Sequence, residues 1–383
     1  MDPHDPTAEP RSLLAWRPAR ATELDGPVWL ALVVALVLLI TTGSRPGGET
    51  IATLVVVGAA LAIAVRWSAA PLAIATLLIV GIGLRAGIQI HYGSDVIDVV
   101  AAAIRNVEFG QNPYGIGYAA SRPPGAPYAY GPLALLWYAP LQNDGWELEL
   151  LMACLVLTLL AMRGKLLGLA FYAVAPTLVA ISGDGSNDTS AGVLLLAALV
   201  IGERRPKIGA VLLAVAVAFK PYAAAWAPAL LLWGGWGVAA TFVASSVVLW
   251  SPVLFLWGIP SFLVSLDLAD KTHGVTYWSL GELYESVFHR GAIRDVFNEL
   301  RIVLGIITAV LTLRWARSFS GVILAGTLVY LVTLYAGFWS TYAYFAAIGP
   351  ILAWKIDDWL GLPTRPLVPL PDDPTFDRKA PAT

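Results

Sequence analysis

The sequence predicts an all-α, polytopic membrane protein: a bundle of about twelve (roughly ten to thirteen) transmembrane helices, with interfacial helices in a large outer loop. Three observations carry this expectation. The 383 residues are 58% hydrophobic and 13% charged, whereas soluble chains carry about 25% charged residues. The apolar residues are gathered into successive runs near the ~20 residues that a spanning helix needs. Basic residues, finally, recur at four of the five connections on one side of the alternation, the pattern of a chain threaded with its positive loops in the cytoplasm.

Residues 1–26 are polar, proline-rich and of mixed charge. They contain no apolar core or small-residue cleavage site and are expected to form a cytosolic tail. The membrane domain is expected over 27–356, and a second Pro-rich cytosolic tail over 357–383. Apolar runs fall near 27–43, 50–66 and 70–90. The segment 91–144 leaves the pattern. Runs resume near 145–163, 165–181, 188–202, 207–219, 221–233 and 237–257. After a second polar break, 258–297, the last three are near 298–316, 319–337 and 340–356. With both termini cytoplasmic, the inside connections carry Arg66, Arg163 with Lys165, Arg204–Arg205 with Lys207, and Arg314 with Arg317, while the uncharged 233–237 joins them. The polar segments 91–144, 182–188, 258–297 and 337–340 then share the outer face.

A net charge of −2 gives no reason to expect nucleic acid as a partner. Cys154, the single cysteine, lies in an apolar run and reads as a small core residue. The four histidines (4, 91, 273 and 289) are scattered. No HExxH, CxxC, Walker A, Rossmann glycine or GxSxG pattern occurs, so no metal or cofactor is expected. Asp184 with Asp188 is the one pair that could assist a hard divalent ion.

The candidate chemistry lies in the outer segments. Asp95 and Asp98 are three apart and share a face if 95–109 is a surface helix, with Ser94 as its N-cap. A carboxylate half-desolvated between a span and such a helix suits a general base. Aromatic turns follow at GQNPYG (110–115) and APYAYGPLALLWYAP (126–140), carrying Tyr114, Tyr128 and Tyr130, and 131–141 is too short to span. The loop 182–188 holds Asp184, Asn187 and Asp188 between apolar runs, which is costly unless they face a polar cavity. Lys220 lies between two runs at the same surface, where it could meet a lipid phosphate. FWSTYAYFAAIGP (338–350) adds Tyr342 and Tyr344, and 258–297 adds His273. Each has a plainer reading: a solvated helix start, a membrane aromatic belt, an ordinary turn capped by Ser186 or Asp188, a snorkelling lysine.

Taken together, span, G-S-D, interfacial helix, G-Q-N-P-Y, Y-x-Y-G-P-L, an outward G-x-x-N-D, K-P and a late S-T-Y-x-Y occur in one order over residues 70–350. That order resembles the polytopic GT-C glycosyltransferases, nearest to the actinobacterial polyprenol-phosphate-mannose-dependent mannosyltransferases of family 87. The resemblance implies an inverting transfer on the outer face of the cell membrane, from a polyprenyl-phosphate sugar to a lipid or glycan acceptor. Mannose is the implied sugar, with arabinose or another pentose next. It implies Asp95 as general base with Asp98 the alternative, and Lys220 at the donor phosphate. Substrate contacts fall to Tyr114, Tyr128, Tyr130, Asn187, Asp188, His273, Tyr342 and Tyr344. A lipid-linked sugar flippase and a non-catalytic envelope scaffold are the competing expectations. A transporter should show internal repeats with polar residues at midplane, and this sequence shows neither.

Overall fold

The computed structural model describes residues 70–87, 94–141, 144–276 and 278–361. The expected spans at 27–43 and 50–66, the tail 1–26, all but the start of the tail 357–383, and His91 lie outside these residues. Among the described residues every regular element is a helix, and the one β pairing is an isolated bridge between Gly117 and Pro127.

The run at 70–90 forms α1, Ala70–Gly87. Two helices are seen in the first polar segment: α2, Val96–Glu108, and α3, Pro132–Tyr138. The apolar positions of α2 fall on one side, so Ile97, Val99, Val100 and Ile104 are buried while Asp98 and Arg105 are exposed. Helix α3 opens on Pro132, whose missing N–H costs nothing in the first turn.

Helix α4 spans Gly145–Met162. The next run does not continue unbroken. It divides into α5, Leu166–Val174, and α6, Pro176–Ile181, because Pro176 cannot donate to the carbonyl of Tyr172 four residues back. The freed carbonyls are taken by Arg85 of α1. Its Nη2 donates to Tyr172 O at 2.7 Å and its Nη1 to Ala173 O at 3.1 Å, with the guanidinium packed over the Tyr172 ring. A buried arginine in an apolar helix thus has a structural partner, as backbone broken inside an apolar bundle requires.

Beyond the loop come α7, Asp188–Arg204, and α8, Pro206–Phe219. The run at 221–233 starts as a 3₁₀ turn, Pro221–Trp226, before α9, Ala227–Gly234. Helix α10, Trp236–Leu249, ends in a π turn, Val253–Trp257. The second polar segment is itself largely helical, as α11, Ile259–Thr272, and α12, Leu280–Phe288. Helix α13, Arg294–Thr312, starts before the expected apolar run because its first turns are amphipathic. Helices α14, Phe319–Tyr335, and α15, Tyr344–Trp359, complete the chain.

Helix α7 is the central rod, buried along most of its length and packed by α8, α15 and α4. Its two ends differ in chemistry. At the Arg204 end, Lys355 pairs with Glu203 at 2.5 Å and Lys165 pairs with Asp358. Asp357 accepts the Leu167 and Gly168 N–H groups at 3.1 and 2.8 Å and so caps α5 from another helix. Connections that the sequence puts on one side therefore meet at one end. The 17 residues of α7 separate that end from Asp188 by about 25 Å, close to the ~30 Å of a hydrocarbon core.

By length and composition two helices, Gly145–Met162 and Arg294–Trp315, could cross a membrane alone; several other apolar helices are shorter. The bundle also carries much apolar surface facing outward. On α13 the side chains of Ile302, Val303, Ile306, Ile307, Val310 and Leu311 are each about half exposed or more.

Candidate functional site

The site is built at the Asp188 end of α7. The segment 182–187 turns tightly before the helix, and Gly185 has φ +88°, a conformation that disfavours any side chain. A Cβ there would also stand 2.9 Å from Ser94 O and 2.8 Å from the Trp146 ring. This closeness lets two backbone hydrogen bonds fasten the turn to the start of α2: Ser94 N–H to Asp184 O at 2.6 Å and Ile97 N–H to Gly185 O at 3.0 Å. Asp95 lies between those two anchors. The start of the first polar segment and the 182–188 turn, about 90 residues apart in sequence, form one structure.

Asp95 is half-buried, and its carboxylate accepts the backbone N–H of Arg122. The Arg122 guanidinium reaches back to Ser94 O at 3.2 Å. The loop between α2 and α3 therefore folds over Asp95. Ser94 is one residue outside the cap position, which Asp95 occupies, yet its hydroxyl still accepts the Val96 N–H at 3.3 Å. Asp98 is exposed on the other side of α2. Of the two candidate bases, only Asp95 joins the cluster.

Asp188 is the first residue of α7 and is almost wholly buried. Its Oδ1 takes the Lys220 ammonium at 2.7 Å and the Tyr222 hydroxyl at 2.6 Å. Lys220 lies where α8 stops before Pro221, and its ammonium is ringed by Tyr222 at 5.1 Å, Tyr130 at 5.3 Å and Tyr344 at 6.0 Å. Gly131 allows this approach: its N–H donates to Phe219 O at 3.2 Å, and a Cβ would collide with the Ala218 carbonyl. The Tyr130 hydroxyl is in electrostatic reach of Asp188, Tyr344 and Asp95. Burial pushes the Asp184 carboxyl up to about 6, against the opposing bonds from Ser186. Because Asp188 is already paired with Lys220 and hydrogen-bonded by Tyr222, the Asp184–Asp188 pair is a poor cation cage; no group of three metal-ligating side chains occurs among the described residues.

Other expected residues divide clearly. Tyr114 and Tyr128 are enclosed, with hydroxyls bonded to Tyr130 O at 3.1 Å and Gly131 O at 2.7 Å. They hold the loop together and leave Tyr130 as the member of that group facing the cluster. Tyr342 is half-buried within reach of Asp184. Asn187 is fully buried with neither amide atom hydrogen-bonded, an orphan polar group beside two acids. His273 is further out, its ring 4.4 Å from that of Trp339, which in turn is 5.9 Å from Tyr344.

Three residues of the region escape sequence reasoning. Glu149 of α4 accepts the Ser190 N–H at 2.9 Å and hydrogen bonds from the Ser190 and Tyr138 hydroxyls, so it caps α7 from a neighbouring helix and fixes Asp188. Its place inside an apolar run was the available signal. Trp339 and Tyr222 sit in aromatic stretches whose individual members look alike in sequence.

Comparison with protein-family models, with curated proteins and with solved structures returns no match.

Proposed function

We propose that this chain is a multi-pass membrane glycosyltransferase, with about twelve spans and its chemistry at the outer face. Its donor would be a polyprenyl-phosphate sugar, mannose first among the candidates, and its acceptor a lipid or glycan hydroxyl. The observation that carries the reading is the convergence of Asp95, Asp184, Asp188, Lys220, Tyr130 and Tyr344 at one end of the bundle, opposite the end that gathers the basic connections. Exposed apolar side chains on the outer helices support a lipid surround.

The step needs one carboxylate. The acceptor oxygen forms a bond to the anomeric carbon as that carbon's bond to the phosphate oxygen breaks. The electron pair stays on the phosphate, and the acceptor proton passes to Asp95. A phosphate leaves without protonation, so the second acid of a glycoside hydrolase is dispensable. Lys220, held by Asp188 and a tyrosine ring, contributes positive charge near the departing phosphate. The buried polar cluster lies at one helix end, not at midplane, which favours chemistry over passage through the bundle.

The test is an in vitro transfer assay pairing a panel of polyprenyl-phosphate sugars with total envelope lipids, read by mass spectrometry. A glycosylated lipid dependent on one donor supports the reading; absence of product across the panel counts against it.

A further inference from the structure

Beside Tyr344 there is a second cation with no assigned role. Arg301 is seven residues into α13, about 10 Å along the helix from Arg294. It packs over Gly337, where a Cβ would come within 2.7 Å of its Cδ, and it is in electrostatic reach of the Tyr344 hydroxyl. Arg301 and Lys220 are therefore both within electrostatic reach of Tyr344. They differ in how their charge is used.

Lys220 is locked at 2.7 Å to Asp188 with both side chains almost fully buried, 6% and 3% exposed. Arg301 and its acid, Asp270, are 25% and 26% exposed and 3.4 Å apart. Asp270 is in addition engaged by Asn298, whose Nδ2 lies 2.6 Å from both carboxylate oxygens. Among the described residues that long contact is the one polar partner of Arg301, although a guanidinium has five N–H donors in a fork that fits a phosphate. The surroundings are fixed. Asn298 also accepts the Phe338 N–H at 3.5 Å, and Arg294 stacks on Phe338 while donating to His273 O at 3.2 Å. His273 and Trp339 cover the same corner.

We propose that Arg301 is the residue that receives the phosphate of a polyprenyl lipid, with Asp270 as its placeholder when the lipid is absent. The inference rests on the sugar-transfer reading. It divides the labour between two cations: Lys220, fixed in a buried pair with Asp188, sets the positive charge on one side of the departing phosphate, and Arg301 supplies the exchangeable contact. The phosphate gains negative charge when the anomeric C–O bond breaks, so an uncommitted guanidinium is most useful there.

The experiment uses the purified full chain in nanodiscs and measures binding of polyprenyl phosphate, of polyprenol of the same length and of inorganic phosphate. Wild type should prefer polyprenyl phosphate to polyprenol. Arg301→Gln should weaken polyprenyl phosphate by roughly 10- to 100-fold and leave polyprenol unchanged. Arg301→Lys should fall between them, and Asp270→Asn should bind the phosphate at least as tightly as wild type. Equal affinity of wild type and Arg301→Gln for polyprenyl phosphate overturns the assignment while the transfer reading stands. So does an equal loss for polyprenol, which would mark damage to the fold. Inorganic phosphate binding as tightly as the lipid would make this a free-anion site and remove the lipid headgroup. A wild type without preference for the phosphate would take the transfer reading down with it.

Discussion

At the scale of single residues, position within the cluster separates candidates that the sequence leaves equal. Asp95 and Asp98 share a helix and a charge, yet one meets the 182–188 turn and the other faces outward. Asp184 differs from both because it is enclosed. Its carboxyl is pushed up to about 6 by burial, the bonds from Ser186 opposing. A folded-state value above the unfolded one means the native protein binds the extra proton between the ordinary carboxylate range and about 6. That contribution to stability is fully present below the unfolded value and is lost as pH rises through the folded one. Asp184→Asn retains the oxygen that accepts the Ser186 N–H and cannot ionise. Thermal melts at pH 4.5 and 7.5 should therefore show wild type losing stability relative to Asp184→Asn at the higher pH. Parallel curves would mean that Asp184 is solvated. The partners of these residues were not legible beforehand: Asp188 and Lys220 are 32 positions apart, and no spacing rule joins them.

At the scale of elements, the apolar runs foretold most helices closely, because length and hydropathy set where a backbone must satisfy itself. Gly145–Met162 and Pro206–Phe219 begin and end within a residue or two of the expected runs. The failures have local causes. Pro176 splits one expected span, and the repair comes from Arg85, which the hydropathy of α1 conceals. The helices α11 and α12 hide in a segment that reads as a polar break. Removing the repair should be costly. Arg85→Leu would leave the Tyr172 and Ala173 carbonyls unpaired in an apolar interior, at a cost of about 2–4 kcal/mol. A drop in melting temperature of several degrees, with loss of the monodisperse peak on gel filtration, is the expected result. An unchanged melt would show the break to be satisfied without Arg85.

At the scale of the whole molecule, two chemically distinct ends stand about 25 Å apart along α7, joined by helices with apolar outer surfaces. This arrangement was legible in outline, since alternating basic connections already sorted the loops into two sets. In a Cys154→Ser background, a cysteine replacing exposed Ala120 should react with a membrane-impermeant maleimide in intact cells. One replacing exposed Lys207 should react only after permeabilisation. The reverse pattern would turn the proposed topology over, and labelling of both would dissolve it. The central claim is narrower and concerns Asp95. Asparagine keeps an oxygen to accept the Arg122 N–H, so Asp95→Asn should fold and melt like wild type. With the polyprenyl-phosphate sugar that wild type uses, its initial rate of transfer should fall by about 10²–10⁴-fold, the usual worth of a general base. A folded Asp95→Asn protein that transfers sugar at the wild-type rate would contradict the account.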